Sequence, residues 1–169
     1  MEQMAVVDET FAPPGAAWTP VDPTLTKARR ITAGLVLLVP LIVGLVLLFI
    51  SSVPKWIGLA VLAATVIGGA WLWWYIDRRT KAWRYAERDD DLLVLRGIMF
   101  KRLVIVPYGR MQLVDLAAGP IDRALGITTL QLHTAAATTD AVIPGLIPEV
   151  AAALRDRLAA KGEQRAAGL

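Results

Sequence analysis

Two uncharged apolar stretches, residues 31–50 and 56–76, constrain this chain more than anything else in it. Wound as a helix at 1.5 Å per residue, each reaches roughly 30 Å, the thickness of a bilayer's hydrocarbon. Only a short turn separates them. The sequence therefore predicts a transmembrane helical hairpin over residues 27–81, a soluble domain over 82–160, and tails at 1–26 and 161–169.

Charge places the hairpin. The net charge of +3 suggests a basic protein, but the soluble part is balanced, with eleven Lys/Arg and ten Asp/Glu from Trp83 onward. Such a domain has no electrostatic footprint for phosphate backbones, which argues against nucleic acid. The basic excess sits beside the apolar stretches, in Lys27, Arg29, Arg30, Arg78, Arg79, Lys81 and Arg84, against Lys55 alone in the turn. Cytoplasmic flanks collect Lys and Arg, so both termini are expected in the cytoplasm of a plasma-membrane protein. The first stretch is too long, and too closely followed by the second, for a cleaved signal peptide, and Arg29–Arg30 resembles a twin-arginine signal only superficially. No cysteine occurs, which excludes disulfides, thiolate metal sites and cysteine nucleophiles.

The aromatics agree with this placement. Trp71, Trp73, Trp74 and Tyr75 fall where the second helix leaves the bilayer and Trp56 where it enters; an interfacial belt explains them better than a ligand cage. Ala60, Ala64 and Gly68 form a small-residue strip suited to close helix packing. Its plainer partner is the first helix, which offers Gly34 and Gly44; the alternative is a second copy. Pro40 should kink the first span. Neither span contains a charged or amide side chain, so no ion path is indicated. The tail 1–26, rich in Pro and Thr, reads as mostly disordered, with Trp18 able to touch the bilayer surface.

Beyond residue 81 the periodicity changes. Ala82–Glu87 and Leu92–Leu95 read as strands around a polar turn, Arg88-Asp89-Asp90-Asp91, which lacks the spacing of a calcium loop. Leu103–Val106 is a further strand stopped by Pro107. Ile127–Ala135 alternates, with Leu130, Leu132 and Thr134 on one face and Thr129, Gln131 and His133 on the other. Ala141–Ile143 is a short strand closed by Pro144-Gly145. Pro148 and Glu149 open a helix whose apolar stripe is Val150, Ala151, Leu154 and Leu158, with Gly162 as its stop. The fold class is thus α+β: a two-helix membrane hairpin, then a small antiparallel β-sandwich or partly open barrel capped by a C-terminal helix.

Val106-Pro107-Tyr108-Gly109-Arg110-Met111-Gln112-Leu113-Val114, followed by Gly119-Pro120-Ile121-Asp122-Arg123-Ala124-Leu125-Gly126, resembles the signature of the bacterial pleckstrin-homology family found in YdbS-like membrane proteins. Met111 stands where the pattern has Ile, Thr134-Ala135 matches its last element, and Trp18 to Leu25 resembles its entry segment. The resemblance implies a pleckstrin-like sandwich closed by a helix, no established enzyme activity, and assembly with a larger relative carrying further copies of the domain. Within the motif, Arg110 and Gln112 are two apart in what reads as an extended segment, so both project to one side, either tying down an irregular 116–125 connection or facing a partner. Asp122 and Arg123 fall in a turn or short helix after Gly119-Pro120. Pro107, Arg110, Gln112, Gly119, Pro120, Arg123 and Gly126 are accordingly the candidate site, either as a loop-holding device or as a recognition surface.

Catalysis finds little support. Ser51 and Ser52 lie in the outer turn, His133 stands alone, and no paired carboxylates or glycine-rich phosphate loop occur in context; no cofactor or metal is expected. Specific phosphoinositide binding is disfavoured because the first hairpin loop is net acidic. The expected role is a non-catalytic protein-interaction or scaffolding module partnered by the bilayer and another membrane protein, with a PH-domain relative as a candidate. The alternatives are an accessory subunit of an export or stress-resistance system and a generic anionic-lipid sensor.

Overall fold

A computed structural model describes residues 13, 16–134 and 140–166. The chain forms two compact units: Thr26–Arg78, and the segment ending at Leu25 together with residues from Arg79 onward.

The first unit is the helical hairpin, carried by α1 (Thr24–Phe49) and α2 (Lys55–Lys81). Both helices are long and apolar enough to cross a membrane, and only 6% of each apolar window is buried. A soluble core helix would hide such side chains, whereas Val36, Val39, Val66 and Ile67 point outward. The few hydroxyls are satisfied within the helices: Thr32 donates to the Ala28 carbonyl at 3.0 Å and Thr65 to that of Val61 at 2.7 Å. Near the open end of the hairpin, Arg30 lies 3.7 Å from Asp77 and over the Trp73 ring, while Trp71 and Tyr75 stack at 5.4 Å. The interhelical contact does not use the predicted strip. A Cβ on Gly44 would meet Leu62 at 2.9 Å, and one on Gly58 would meet Leu48 at 2.8 Å, whereas Gly68 has open space and Ala60 and Ala64 are exposed. Residues 58, 62, 65 and 69 define the facing stripe, and the 60–64–68 row lies outside it.

The second unit has two antiparallel sheets. One holds β1 (Thr19–Pro20), β2 (Arg84–Glu87), β3 (Asp91–Arg96) and β4 (Arg102–Pro107), in that order; the other holds β5 (Met111–Ala117), β6 (Thr128–Thr134) and β7 (Ala141–Leu146). They form a sandwich and not a closed barrel. Leu92, Leu93, Leu130, Leu132 and Ile143 are essentially inaccessible. The helix α4 (Pro148–Ala166) packs on β5, β6 and the turn between β4 and β5 through Ala151, Leu154 and Leu158. A five-residue helix, α3 (Pro120–Ala124), joins β5 to β6, starting from Gly119 with Pro120 in its first turn.

Several elements differ from the sequence expectations. Residues 16–25 are ordered: Thr19 and Pro20 pair with Tyr85 and Arg84, the Asp22 amide donates to the Gly145 carbonyl at 2.9 Å, and Leu25 is buried. Asp22 also accepts from the Thr24 amide at 2.7 Å, so Asp22-Pro23 starts α1 well before residue 27. The disorder expected of residues 1–12, 14 and 15 lies outside the described residues, as does Ala135. Residues 116 and 117 belong to β5 and not to an irregular connection. Pro144-Gly145 does not end β7 but forms an irregularity within it, one extra residue opposite β6 with Gly145 at φ +69°. Val150 is exposed and falls outside the apolar stripe of α4. That helix runs through Gly162 to Ala166, because Lys161 and Arg165 on either side of the glycine are anchored to the turn between β2 and β3.

Candidate interaction surface

At one end of the sandwich, β4 crosses to β5 through a single 3-10 turn, Tyr108–Arg110. Tyr108 is completely buried. Its hydroxyl donates to the Arg88 carbonyl at 2.9 Å and its amide to the Asp90 carbonyl at 3.1 Å. Lys161 completes this corner, lying over the Tyr108 ring at 4.8 Å and donating to the same Arg88 carbonyl at 2.9 Å. One helical turn to either side, Arg157 forks onto Glu87 at 2.8 and 3.2 Å, and Arg165 pairs with Asp90. The spacing 157, 161, 165 puts three cations on one face of α4, and they meet the acidic 87–90 turn one after another. Each exposed pair contributes at most about 1 kcal/mol; together they fix the turn and offset its negative charge. The turn borders an open cleft of about 330 Å³ lined by Glu87, Arg88, Asp89 and Asp90.

Burial, reinforced by the charges of Glu87 and Asp91, pushes the Tyr108 hydroxyl up to about 12. Burial also raises Tyr85, and the hydrogen bond to Glu87 raises Arg157. Asp140 is lowered, chiefly by the Thr134 amide, which donates to it at 2.8 Å. His133 is not solitary: its Nδ1 stands 3.4 Å from the Asp140 carboxylate. The two residues flank the β6–β7 connection, and the Thr134 hydroxyl donates to the same carboxylate at 3.5 Å.

The motif divides into two groups. Pro107, Arg110 and Gln112 lie where β5 begins, whereas Gly119, Pro120, Arg123 and Gly126 follow its far end. Six residue steps of strand, roughly 20 Å, separate the two groups, so Arg110 and Gln112 cannot tie down the 116–125 segment. Nor do they share a side by strand alternation, since Arg110 closes a helical turn and Gln112 sits where the β5–β6 register shifts. The far group is held by its own backbone. The Arg123 amide donates to the Gly119 carbonyl at 2.9 Å, the Ile127 amide to that of Asp122 at 2.9 Å, and Gly126 takes φ +66°. Its side chains do not hold the loop. All seven residues are exposed, and among the described residues the side chains of Arg110, Gln112 and Arg123 make no hydrogen bond or ion pair.

Sequence reasoning passed over two residues here. Tyr108 was hidden because a lone tyrosine between Pro and Gly reads as turn, although the 157–161–165 spacing offered a signal that α4 meets an acidic partner. Leu113, 54% exposed on β5 at the edge of its sheet, gave no signal at all. Among the described residues, no group of His, Cys, Asp and Glu could hold a metal ion.

The profile of the bacterial PH domain family matches residues 31–162. The UPF0699 transmembrane protein YdbS of Bacillus subtilis (strain 168) is 31% identical over 133 residues, covering 78% of this chain and 82% of that protein. No solved structure matches the chain.

Proposed function

Because this chain belongs to the bacterial PH domain family, we propose that it is a membrane-anchored, non-catalytic adaptor whose sandwich docks a second membrane protein carrying the same kind of domain. The observation that carries the reading is the start of β5. This edge strand presents Arg110 and Gln112 with uncommitted donors beside an exposed Leu113. Edge strands accept a further strand through main-chain bonds, and an apolar anchor flanked by polar donors supplies specificity. A related sandwich offers an edge of the same type, which makes a family relative the natural occupant.

The test is purification of the full chain at natural expression from native membranes after brief cross-linking. A stoichiometric companion with a homologous domain is expected, and Leu113→Arg should lower its recovery roughly tenfold, the effect of losing one interface anchor. A solitary protein, or recovery unchanged by Leu113→Arg, would sink the reading.

In this adaptor both termini lie in the cytoplasm, as the basic outer flanks of the hairpin favour. Since the chain has no cysteine, single replacements report topology cleanly. Ser52→Cys should react with an impermeant maleimide in intact cells, and Ala159→Cys only after lysis. The reverse pattern would invert the topology.

A further inference from the structure

The tip that joins β3 to β4, residues 97–101, serves neither the fold nor the β5 surface. At its apex Met99 and Phe100 are 85% and 86% exposed, more than Phe49 at the end of α1. The turn is built to hold them out. Gly97 has φ +101°, and a Cβ there would collide with the Phe100 carbonyl. A flexible thioether and an aromatic ring in water cost free energy unless something apolar receives them.

The charges around the tip say what receives them. Between Asp91 and Asp115 the sequence holds no acid and four cations, Arg96, Lys101, Arg102 and Arg110. Three of these flank the tip. Arg96 and Arg102 sit directly opposite each other across the strands, which concentrates positive charge at the base of the tip, and Arg96 also lies over the Trp83 ring at 5.7 Å. The acidic 88–90 turn is at the other end of β3, where α4 already offsets it. The base of the tip is also where the chain enters this unit: Arg84, three residues after the last residue of α2, pairs with Leu95. Only residues 82 and 83 lie in sequence between α2 and this strand pair.

We propose that this tip is a membrane-contact wedge: Met99 and Phe100 enter the interfacial layer of an anionic leaflet while Arg96, Lys101 and Arg102 meet its phosphates. Apolar groups at headgroup depth, ringed by cations, are held by buried apolar area plus attraction to anionic lipid. The contact restrains the sandwich against the bilayer and leaves the β5 edge to a partner. It is independent of whether β5 docks one.

The test uses the full chain in nanodiscs of phosphatidylcholine, with and without phosphatidylglycerol. A nitroxide on Met99→Cys, with Phe100 intact, is compared with one on Asp89→Cys at the opposite end of β3. The readout is collision with oxygen relative to a polar nickel chelate. In anionic discs the ratio at the tip should be several-fold higher than at Asp89, and it should fall towards the Asp89 value in neutral discs or with Phe100→Ser. Equal ratios at the two sites in anionic discs would overturn the proposal, as would a tip ratio indifferent to lipid charge. Shielding that arises only when a second membrane protein is co-reconstituted would assign the tip to a protein contact and overturn the lipid assignment.

Discussion

Replacing Tyr108 by alanine is expected to remove a large part of the soluble unit's stability, whereas replacing it by phenylalanine should cost only about 1 kcal/mol. Tyr108 heads the fully buried side chains by volume, so truncation empties a site that three elements enclose. Buried aromatic-to-alanine changes cost about 3–5 kcal/mol, a large part of the roughly 5–15 kcal/mol that holds a domain folded. Phenylalanine keeps the packing and the Lys161 contact and loses one hydrogen bond, to a carbonyl that Lys161 still serves. Pulse proteolysis of the full chain in urea, following cleavage after residue 82, measures both. Equal losses would mean that the hydroxyl and not the ring secures the corner.

The same residue fixes a pH dependence. Its hydroxyl titrates at about 12 in the folded unit and near its ordinary 10.0 when unfolded. A raised folded value means that the contribution is complete below pH 10. It then declines as pH rises, because the unfolded chain ionises first, and it is lost by the time the folded group has titrated. Each pH unit in that window removes about 1.4 kcal/mol. In Tyr108→Phe this part of the alkaline decline should vanish, leaving the smaller part due to Tyr85. A wild-type profile flat from pH 10 to 12 would contradict the burial of the ring.

The contrast between Tyr108 and the hairpin shows what could be read from the sequence. Long apolar runs and two-residue alternation depend on nearest neighbours along the chain, so both membrane helices and the faces of β6 were legible, as was the motif that marks the family. What stayed hidden depends on partners distant in sequence. Residues 16–25 lack periodicity, yet they are ordered because Leu25 and Asp22 find β7 more than a hundred residues later. Gly162 has the chemistry of a helix stop, but cations on both sides of it bind the turn between β2 and β3 and carry the helix onward. The small-residue row at 60, 64 and 68 was recognised correctly as a row. Which neighbour a helical row faces is a property of the hairpin's rotation, and spacing does not encode it. For the motif, sequence order suggested one cluster, and the length of β5 makes it two.

Gly145→Ala should be strongly damaging for a single added methyl, and comparison with Gly126→Ala separates its causes. Both glycines have nearly the same backbone, φ +69° and +66°, so each substitution pays the left-handed penalty of roughly 1–2 kcal/mol. Around Gly126 there is open space. At Gly145 the new methyl would stand 2.7 Å from the Leu25 Cβ and 3.1 Å from its Cδ2. A Cβ is fixed to the backbone and cannot swing away, so either β7 or the 21–25 segment has to move. That adds an overpacking cost of about 1–3 kcal/mol and weakens the bond from the Asp22 amide to the Gly145 carbonyl. Pairing Gly145→Ala with Leu25→Gly, which removes the Cβ that an alanine would keep, should recover the overpacking part and none of the backbone part, giving a coupling of at least 0.5 kcal/mol in a double-mutant cycle, the lower end of what contacting residues show, roughly 0.5–3 kcal/mol. Strict additivity would place Leu25 away from β7. The pairing then could not be what orders the chain just ahead of α1, and the ordering would have to come from the two-residue strand β1 alone, which is far too short to hold by itself.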